Sequence, residues 1–437
     1  MSLTTSQTAN VLLALALLLT AAHGFGFVFA KLRQPRVIGE IFGGLLLGPS
    51  CLGYFAPNLQ ELAFVSNDGV TFAVLGAIYQ LGLLLLMFCS GLEVRSGFQP
   101  GERKTAMAIT VAGTTVPFLL GILFLRLHAW TGMEILDLRR FHGTAQSDTA
   151  FLLVFAIAVA VTSIPVISRI MYDLGVLETS FARVVLGAAV IEDIILYVVL
   201  AIAIGLVGQH TGDMSPVQQF LGATNGSTFA GVFHLLAPVL FFGVSLFLGR
   251  RAFHWIVNYR YNVLIKSSPI GFLLLFMLTM TGICVFMGVT PMFGAFVAGM
   301  VAGTGSDAPS QPRHAIKSFS IAFFVPVYFA IVGLKLDLIR AFEPLFFLVF
   351  LVFACGAKSL SVYAGARIAG EPASVARNLA VAMNARGGPG IVLASVAYDA
   401  HVVNEGFYVS LVMLAILTSL LAGSYLANRV ASGYPLR

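Results

Sequence analysis

Charged side chains are scarce in this sequence. Asp, Glu, Lys and Arg together supply 10% of its 437 residues and apolar side chains 58%, whereas ordinary soluble domains carry roughly a quarter charged residues. That deficit excludes the two or three soluble domains that length alone would suggest. Residues 1–30 contain no Lys or Arg, so the basic start of a secretory signal is missing. The charges Lys31, Arg33 and Arg36 follow the first apolar run instead, as they do after a membrane helix that starts outside. Only four cysteines occur (Cys51, Cys89, Cys284 and Cys355), none at metal-ligand spacing, and they read as small buried hydrophobes. The sequence has no Walker motif, no phosphate-binding cluster of charge, no histidine cluster and no nucleophile–base pair. Enzymatic chemistry, a cofactor and a resident metal are therefore not expected. A net charge of +6 would suit nucleic acid, but the basic residues sit between apolar runs, where membrane topology accounts for them.

Long hydrophobic runs are what the sequence has in abundance. Thirteen apolar segments lie near 8–30, 37–55, 71–94, 105–126, 149–172, 180–207, 229–249, 268–288, 290–303, 317–335, 343–366, 376–398 and 405–428. Many reach the ~20 residues that an α-helix needs to cross the hydrocarbon core. The prediction is an all-α polytopic membrane protein of about thirteen transmembrane helices. The linkers 127–148 and 208–228 are polar without the character of separate domains, and no soluble regulatory domain is expected after the last segment. Eighteen basic residues fall at the exits of odd-numbered segments, and five (Arg126, Arg139, Arg140, Lys335 and Arg340) at even-numbered exits. The positive-inside rule then predicts an external N-terminus and a cytoplasmic C-terminus, in a cell (inner) membrane.

Two stretches echo one another at an offset of seven segments. IFGGLLLG (Ile41–Gly48) matches MFGAFVAG (Met292–Gly299), and SGLEV (Ser90–Val94) matches VGLKLDL (Val332–Leu338). An odd offset sets the copies in opposite orientations, the mark of inverted-topology repeats. Repeat A is expected near 37–207, linking helices near 229–288, and repeat B near 290–428.

Broken helices survive in hydrocarbon only where protein or water lines a cavity. Segment 5 reads VAVTSIPVIS (Val159–Ser168), where Pro165 removes a backbone donor beside the hydroxyls of Thr162 and Ser163. Segment 12, its partner at the same offset, reads MNARGGPGIVL (Met383–Leu393), where Gly387, Gly388, Pro389 and Gly390 together resist helix formation. Segment 6 places Glu192 and Asp193 near its centre. An intramembrane ionisable group costs a few kcal/mol and marks a functional site. Adjacent residues point about 100° apart on a helix, so the two carboxylates take different roles. One faces the cavity and the other a cation. Lys358, well inside segment 11, is the candidate cation, while Arg386 is placed to compensate the carbonyl ends around its own broken helix. Hard monovalent cations need oxygen ligands, and a carboxylate that also takes a proton is the minimal exchange device. Asp193, Thr162, Ser163 and the freed carbonyls make such a set.

The stretches QPRVIGEIFGGLLLGPS (Gln34–Ser50), TSIP, the acidic pair and FFVPVYFAIVGLKLDL (Phe323–Leu338) resemble the monovalent cation:proton antiporter superfamily. The likeness is to the branch of sodium/proton antiporters, potassium efflux systems and plant cation/proton exchangers, and it runs along essentially the whole chain. The resemblance implies a homodimer, a scaffold bundle, and a mobile six-helix core with two crossed discontinuous helices. It also implies that Asp193 binds both the cation (Na+ or K+) and the proton, and that Lys358 pairs with the first acidic position. That position is usually Asp in electrogenic relatives and Asn in electroneutral ones, and here it is Glu192. Two other readings remain, a channel-like potassium pathway on the same fold and a transporter of small organic solutes. Channel flux would ignore an opposing proton gradient, and the solute fold needs no Asp193–Lys358 combination.

Overall fold

The computed structural model describes residues 3–32, 34–64, 69–93, 101–131, 138–211, 216–217, 228–303 and 310–437. Among the described residues the secondary structure is helical, with no strand and one isolated bridge between His142 and Val403. In chain order the principal helices are α1 (Thr5–Lys31), α2 (Arg36–Leu47), α3 (Val70–Glu93), α4 (Glu102–Thr131), α5 (Asp148–Ala160), α6 (Ile164–Asp173), α7 (Ser180–Thr211) and α8 (Thr228–Val244). They continue with α9 (Arg250–Asn258), α10 (Pro269–Phe286), α11 (Pro291–Gly303), α12 (Ser310–Phe319), α13 (Val325–Leu334), α14 (Pro344–Ala369), α15 (Ala373–Ala382), α16 (Gly387–Asp399) and α17 (Glu405–Ala431). A π turn joins α8 to α9 at Ser245–Gly249, and another joins α12 to α13 at Ser320–Phe324.

The chain is a multi-span membrane protein. Among the described residues, eleven candidate spans, counting α2, α8, α12 and α15 with the helical pieces that follow them, are long and apolar enough to cross a bilayer. Two further apolar helices, α5 and α11, are shorter, and they fall in the fifth and ninth of the predicted segments. The physical reason differs between them. The fifth segment stops being helical after Ala160. The ninth is one helix of 13 residues, about 20 Å at 1.5 Å per residue, short of a ~30 Å hydrocarbon core.

The described residues form two compact units, each drawing on both halves of the sequence. Unit 1 comprises Met1–Leu32, Arg36–Arg95 and Met214–Ile339. Unit 2 comprises Arg33–Pro35, Ser96–Asp213 and Arg340–Arg437. Unit 1 is assembled through glycine. A Cβ on Gly44 of α2 would strike the Ala330 carbonyl of α13, and one on Gly333 of α13 would strike the Ile41 carbonyl of α2. The glycines that made the sequence echo visible are therefore points where backbones touch. Ser50 fixes the same edge, donating to Leu336 O at 2.7 Å and accepting from Leu338 N at 2.8 Å.

Unit 2 packs α4, α5, α6, α7, α14, α15, α16 and α17. One buried cluster includes Ile167, Val185, Val362, Leu379, Met383 and Leu426. A second is aromatic, with Phe151, Phe155, Phe346 and Phe350 around Phe407. At the starts of α4 and α7, Arg183 donates to both carboxylate oxygens of Glu102, at 2.6–3.2 Å. This planar fork ties two helix ends together in a way a lysine would not reproduce.

Candidate functional site

Two helices of unit 2 are interrupted, and their breaks meet. After Ala160 the backbone becomes extended at Val161 (φ −70°, ψ 147°), and helix resumes at Ile164. In the second, α15 ends at Ala382 and α16 begins at Gly387. Ser163 N donates to Ala385 O at 2.7 Å, and the Thr162 hydroxyl donates to Met383 O. A Cβ on Gly387, whose φ is +23°, would meet Val166 Cβ at 2.7 Å and Ser163 Oγ at 2.9 Å. Only glycine allows this approach.

The second break lies one turn earlier than the sequence implied. Gly387, Gly388, Pro389 and Gly390 are helical and form the first turn of α16, while the non-helical link is Met383–Arg386. The first N–H groups of a helix have no partner inside it, so a proline there sacrifices nothing. Pro389 is the third residue of α16, and Pro165 is the second of α6. Both prolines start a half-helix.

The carbonyl end of α5 is fully accounted for. Its last four C=O groups would be orphans in a bare helix end. Ile157 O accepts from Val161 N at 3.0 Å, Ala158 O from Arg386 Nε at 3.2 Å, Val159 O from Arg386 Nη2 at 2.9 Å, and Ala160 O from Lys358 Nζ at 2.5 Å. Two cations thus sit where the helix dipole is negative. Arg386 mainly serves the other broken helix rather than its own, where it reaches Asn384 O at 3.4 Å. Its Nη2 also meets Ala354 O at 2.9 Å, and Nη1 meets Asn384 Oδ1 at 2.5 Å. Asn384 in turn donates to Ser359 Oγ at 3.2 Å. The carbonyls expected as cation ligands at this break are therefore already engaged. Arg386→Met should lower the thermal stability of detergent-solubilised protein by roughly 3 kcal/mol or more, since each hydrogen bond to a charged group contributes about 1.5–3 kcal/mol. A variant as stable as the parent in a melting assay would refute that capping role.

Glu192 and Lys358 are each at most 1% exposed. Lys358 Nζ lies 2.8 Å from both Glu192 carboxylate oxygens and 2.8 Å from Gly113 O, besides Ala160 O. Thr114 Oγ1 donates to Glu192 Oε1 at 3.3 Å. An ion pair so completely hydrogen-bonded meets the condition under which buried charge is tolerated. Asp193, the next residue, is equally buried, yet its Oδ1 has no hydrogen-bond partner. Ser163 Oγ accepts from Val166 N at 3.4 Å.

Several participants were not singled out in the sequence. Asn384 lay inside the quoted MNARGGPG stretch. Thr114 and Gly113 lay in an ordinary apolar run with no signal. Thr418 and Ser419, whose hydroxyls accept from Arg386 N at 3.3 Å and Gly387 N at 3.1 Å, were detectable only as hydroxyls within an apolar helix.

Residues 13–430 match the family model described as sodium/hydrogen exchanger, transmembrane. The chain is 26% identical over 418 residues to the Na(+)/H(+) antiporter NhaS4 of Synechocystis sp., covering 94% of each sequence. It is 27% identical over 419 residues to Cation/H(+) antiporter 20 of Arabidopsis thaliana, covering 92% of this chain and 46% of that protein. The chain thus spans about half the length of that plant relative. Among solved structures, the sodium proton antiporter MjNhaP1 from Methanocaldococcus jannaschii superposes with a TM-score of 0.62 at 13% identity, covering 97% of this chain and 99% of that one. At that identity the likeness is one of fold.

Proposed function

The chain belongs to the sodium/hydrogen exchanger family, and from that premise we propose that it is a secondary antiporter, exchanging Na+ or K+ for protons by alternating access. The cation and the proton compete for Asp193. The observation that carries this reading is the division of labour between neighbouring carboxylates. Glu192 is held by Lys358 at both carboxylate oxygens and by Thr114, whereas Asp193 keeps a buried oxygen without a partner. A carboxylate left open in the middle of a span accepts either a proton or a desolvated monovalent cation. Thr162 and Ser163 contribute hydroxyl oxygens at the crossing, and Lys358 and Arg386 hold the breaks in register.

Further elements of the reading rest on sequence pattern. The bias of basic residues supports an external N-terminus and a cytoplasmic C-terminus in a cell membrane. The seven-segment echo supports inverted repeats near 37–207 and 290–428. We assign unit 2, which holds both interrupted helices, to the mobile core that the resemblance implies, and unit 1 to the scaffold of a homodimer. The deciding experiment is proton flux in proteoliposomes on addition of Na+, K+ or Li+. At least one ion should drive proton movement opposite to its own gradient. Cation flux unaffected by an opposing proton gradient would replace this reading with a channel.

A further inference from the structure

A second buried carboxylate lies in unit 1, away from any residue discussed so far as a site. Glu40 of α2 is 8% exposed, and its Oε2 is buried without a hydrogen-bond partner. It enters the contact between α1 and α2, where glycines bring the two backbones together. A Cβ on Gly39 would lie 2.8 Å from Gly26 Cα, and one on Gly43 would lie 2.6 Å from Ala21 O. Gly26, directly across the seam, leaves the space that the Glu40 side chain fills, with Glu40 Cγ 3.6 Å from the position a Cβ would take. The charged group facing Glu40 is Arg36, one turn earlier on the same helix and exposed. Titratable side chains on the packed elements are engaged elsewhere. On α1, His23 meets Ala322 O at 3.0 Å and Lys31 lies 4.7 Å over the Phe27 ring. On the α13 side, Tyr328 stacks on Tyr79 at 5.0 Å and Lys335 covers Tyr79 at 4.2 Å. Cys51 and Tyr54 lie beyond the opposite end of α2.

An ionised carboxylate in this seam would be buried without a counter-charge in contact, the arrangement most penalised in hydrocarbon. A neutral carboxylic acid fits it. We propose that Glu40 is a second proton-binding site, independent of the broken-helix crossing, which keeps its proton while α1 and α2 are packed and releases it to water as the seam loosens. Packing of unit 1 then depends on pH through one residue. The site requires nothing of Asp193, so it stands or falls separately from the antiport reading.

Thermal unfolding of the full chain in detergent, followed across pH for the parent and Glu40→Gln, tests this directly. Glutamine keeps the shape and has no proton to lose. The two midpoints should hold a fixed separation in acid. On alkalinisation the parent should fall relative to the variant by about 3 °C or more, the scale expected for a buried-group effect in a chain of this size. Parallel profiles at all pH values would overturn the proposal. Should Glu40→Gln fail to fold, carbodiimide labelling of the unaltered chain decides, because the reagent adds across the O–H of a protonated carboxyl and not to a carboxylate. Labelling of the Glu40 peptide should fall about tenfold per pH unit beyond its titration midpoint. Labelling that is absent or independent of pH would overturn it equally.

Discussion

Asp193→Asn is expected to abolish cation-driven proton flux in proteoliposomes, down to the level of empty vesicles, while leaving expression and melting behaviour close to the parent. Asparagine preserves the size of the side chain and removes the one group that can bind a proton and a cation alternately. Fold should survive because Asp193 is not part of the hydrogen-bonded framework. Its Oδ1 has no partner to lose, whereas Glu192, Lys358 and Arg386 carry the contacts that hold the crossing. Robust cation-dependent flux in a folded Asp193→Asn protein would remove this carboxylate from the mechanism.

Lys358→Met should be the most damaging single change to stability among the buried charges. It strands the Glu192 carboxylate, and breaking a buried pair from one side costs about 3–5 kcal/mol. It also releases Ala160 O and Gly113 O, each hydrogen-bonded to Nζ, at about 1–3 kcal/mol per unsatisfied group. Adding Glu192→Gln should restore part of the loss, because no ionised partner is then left behind, but the two carbonyls remain unserved. The double variant should therefore melt above Lys358→Met and below the parent, with a coupling on the order of 1 kcal/mol or more. Strictly additive losses would show that the carboxylate and the ammonium do not act as a pair. Voltage sensitivity of flux in a stable double variant then separates roles, since an unchanged response would leave the pair structural only.

The acidic pair, Lys358 and both breaks were legible because hydrocarbon makes their residue types conspicuous. A Glu-Asp dipeptide inside IEDIILYVV and a lysine inside ACGAKSLS stand out against their surroundings. The location of the second break was misjudged because Gly-Gly-Pro-Gly reads as anti-helical by propensity. Propensity, however, ignores the freedom of a helix's first turn. The reach of Arg386 to Ala158 and Val159 had no sequence signal at all, because its acceptors are backbone carbonyls that any residue supplies. The fifth predicted segment is divided into α5 and α6 at the break the sequence marks, and the ninth, 290–303, is as short in the structure as in the sequence.

The capping of α5 bears on how the protein is made. Val159 O and its guanidinium partner on Arg386 are 227 residues apart in the chain. At the usual 5–20 residues per second of synthesis, the carbonyl end of α5 waits on the order of 10–45 s for its partners to emerge from the ribosome. During that interval the carbonyl end of α5 lacks the cations that later cap it. Water, lipid headgroups or an insertion factor must shelter it, so early truncation products should be the species that quality-control proteases recognise first.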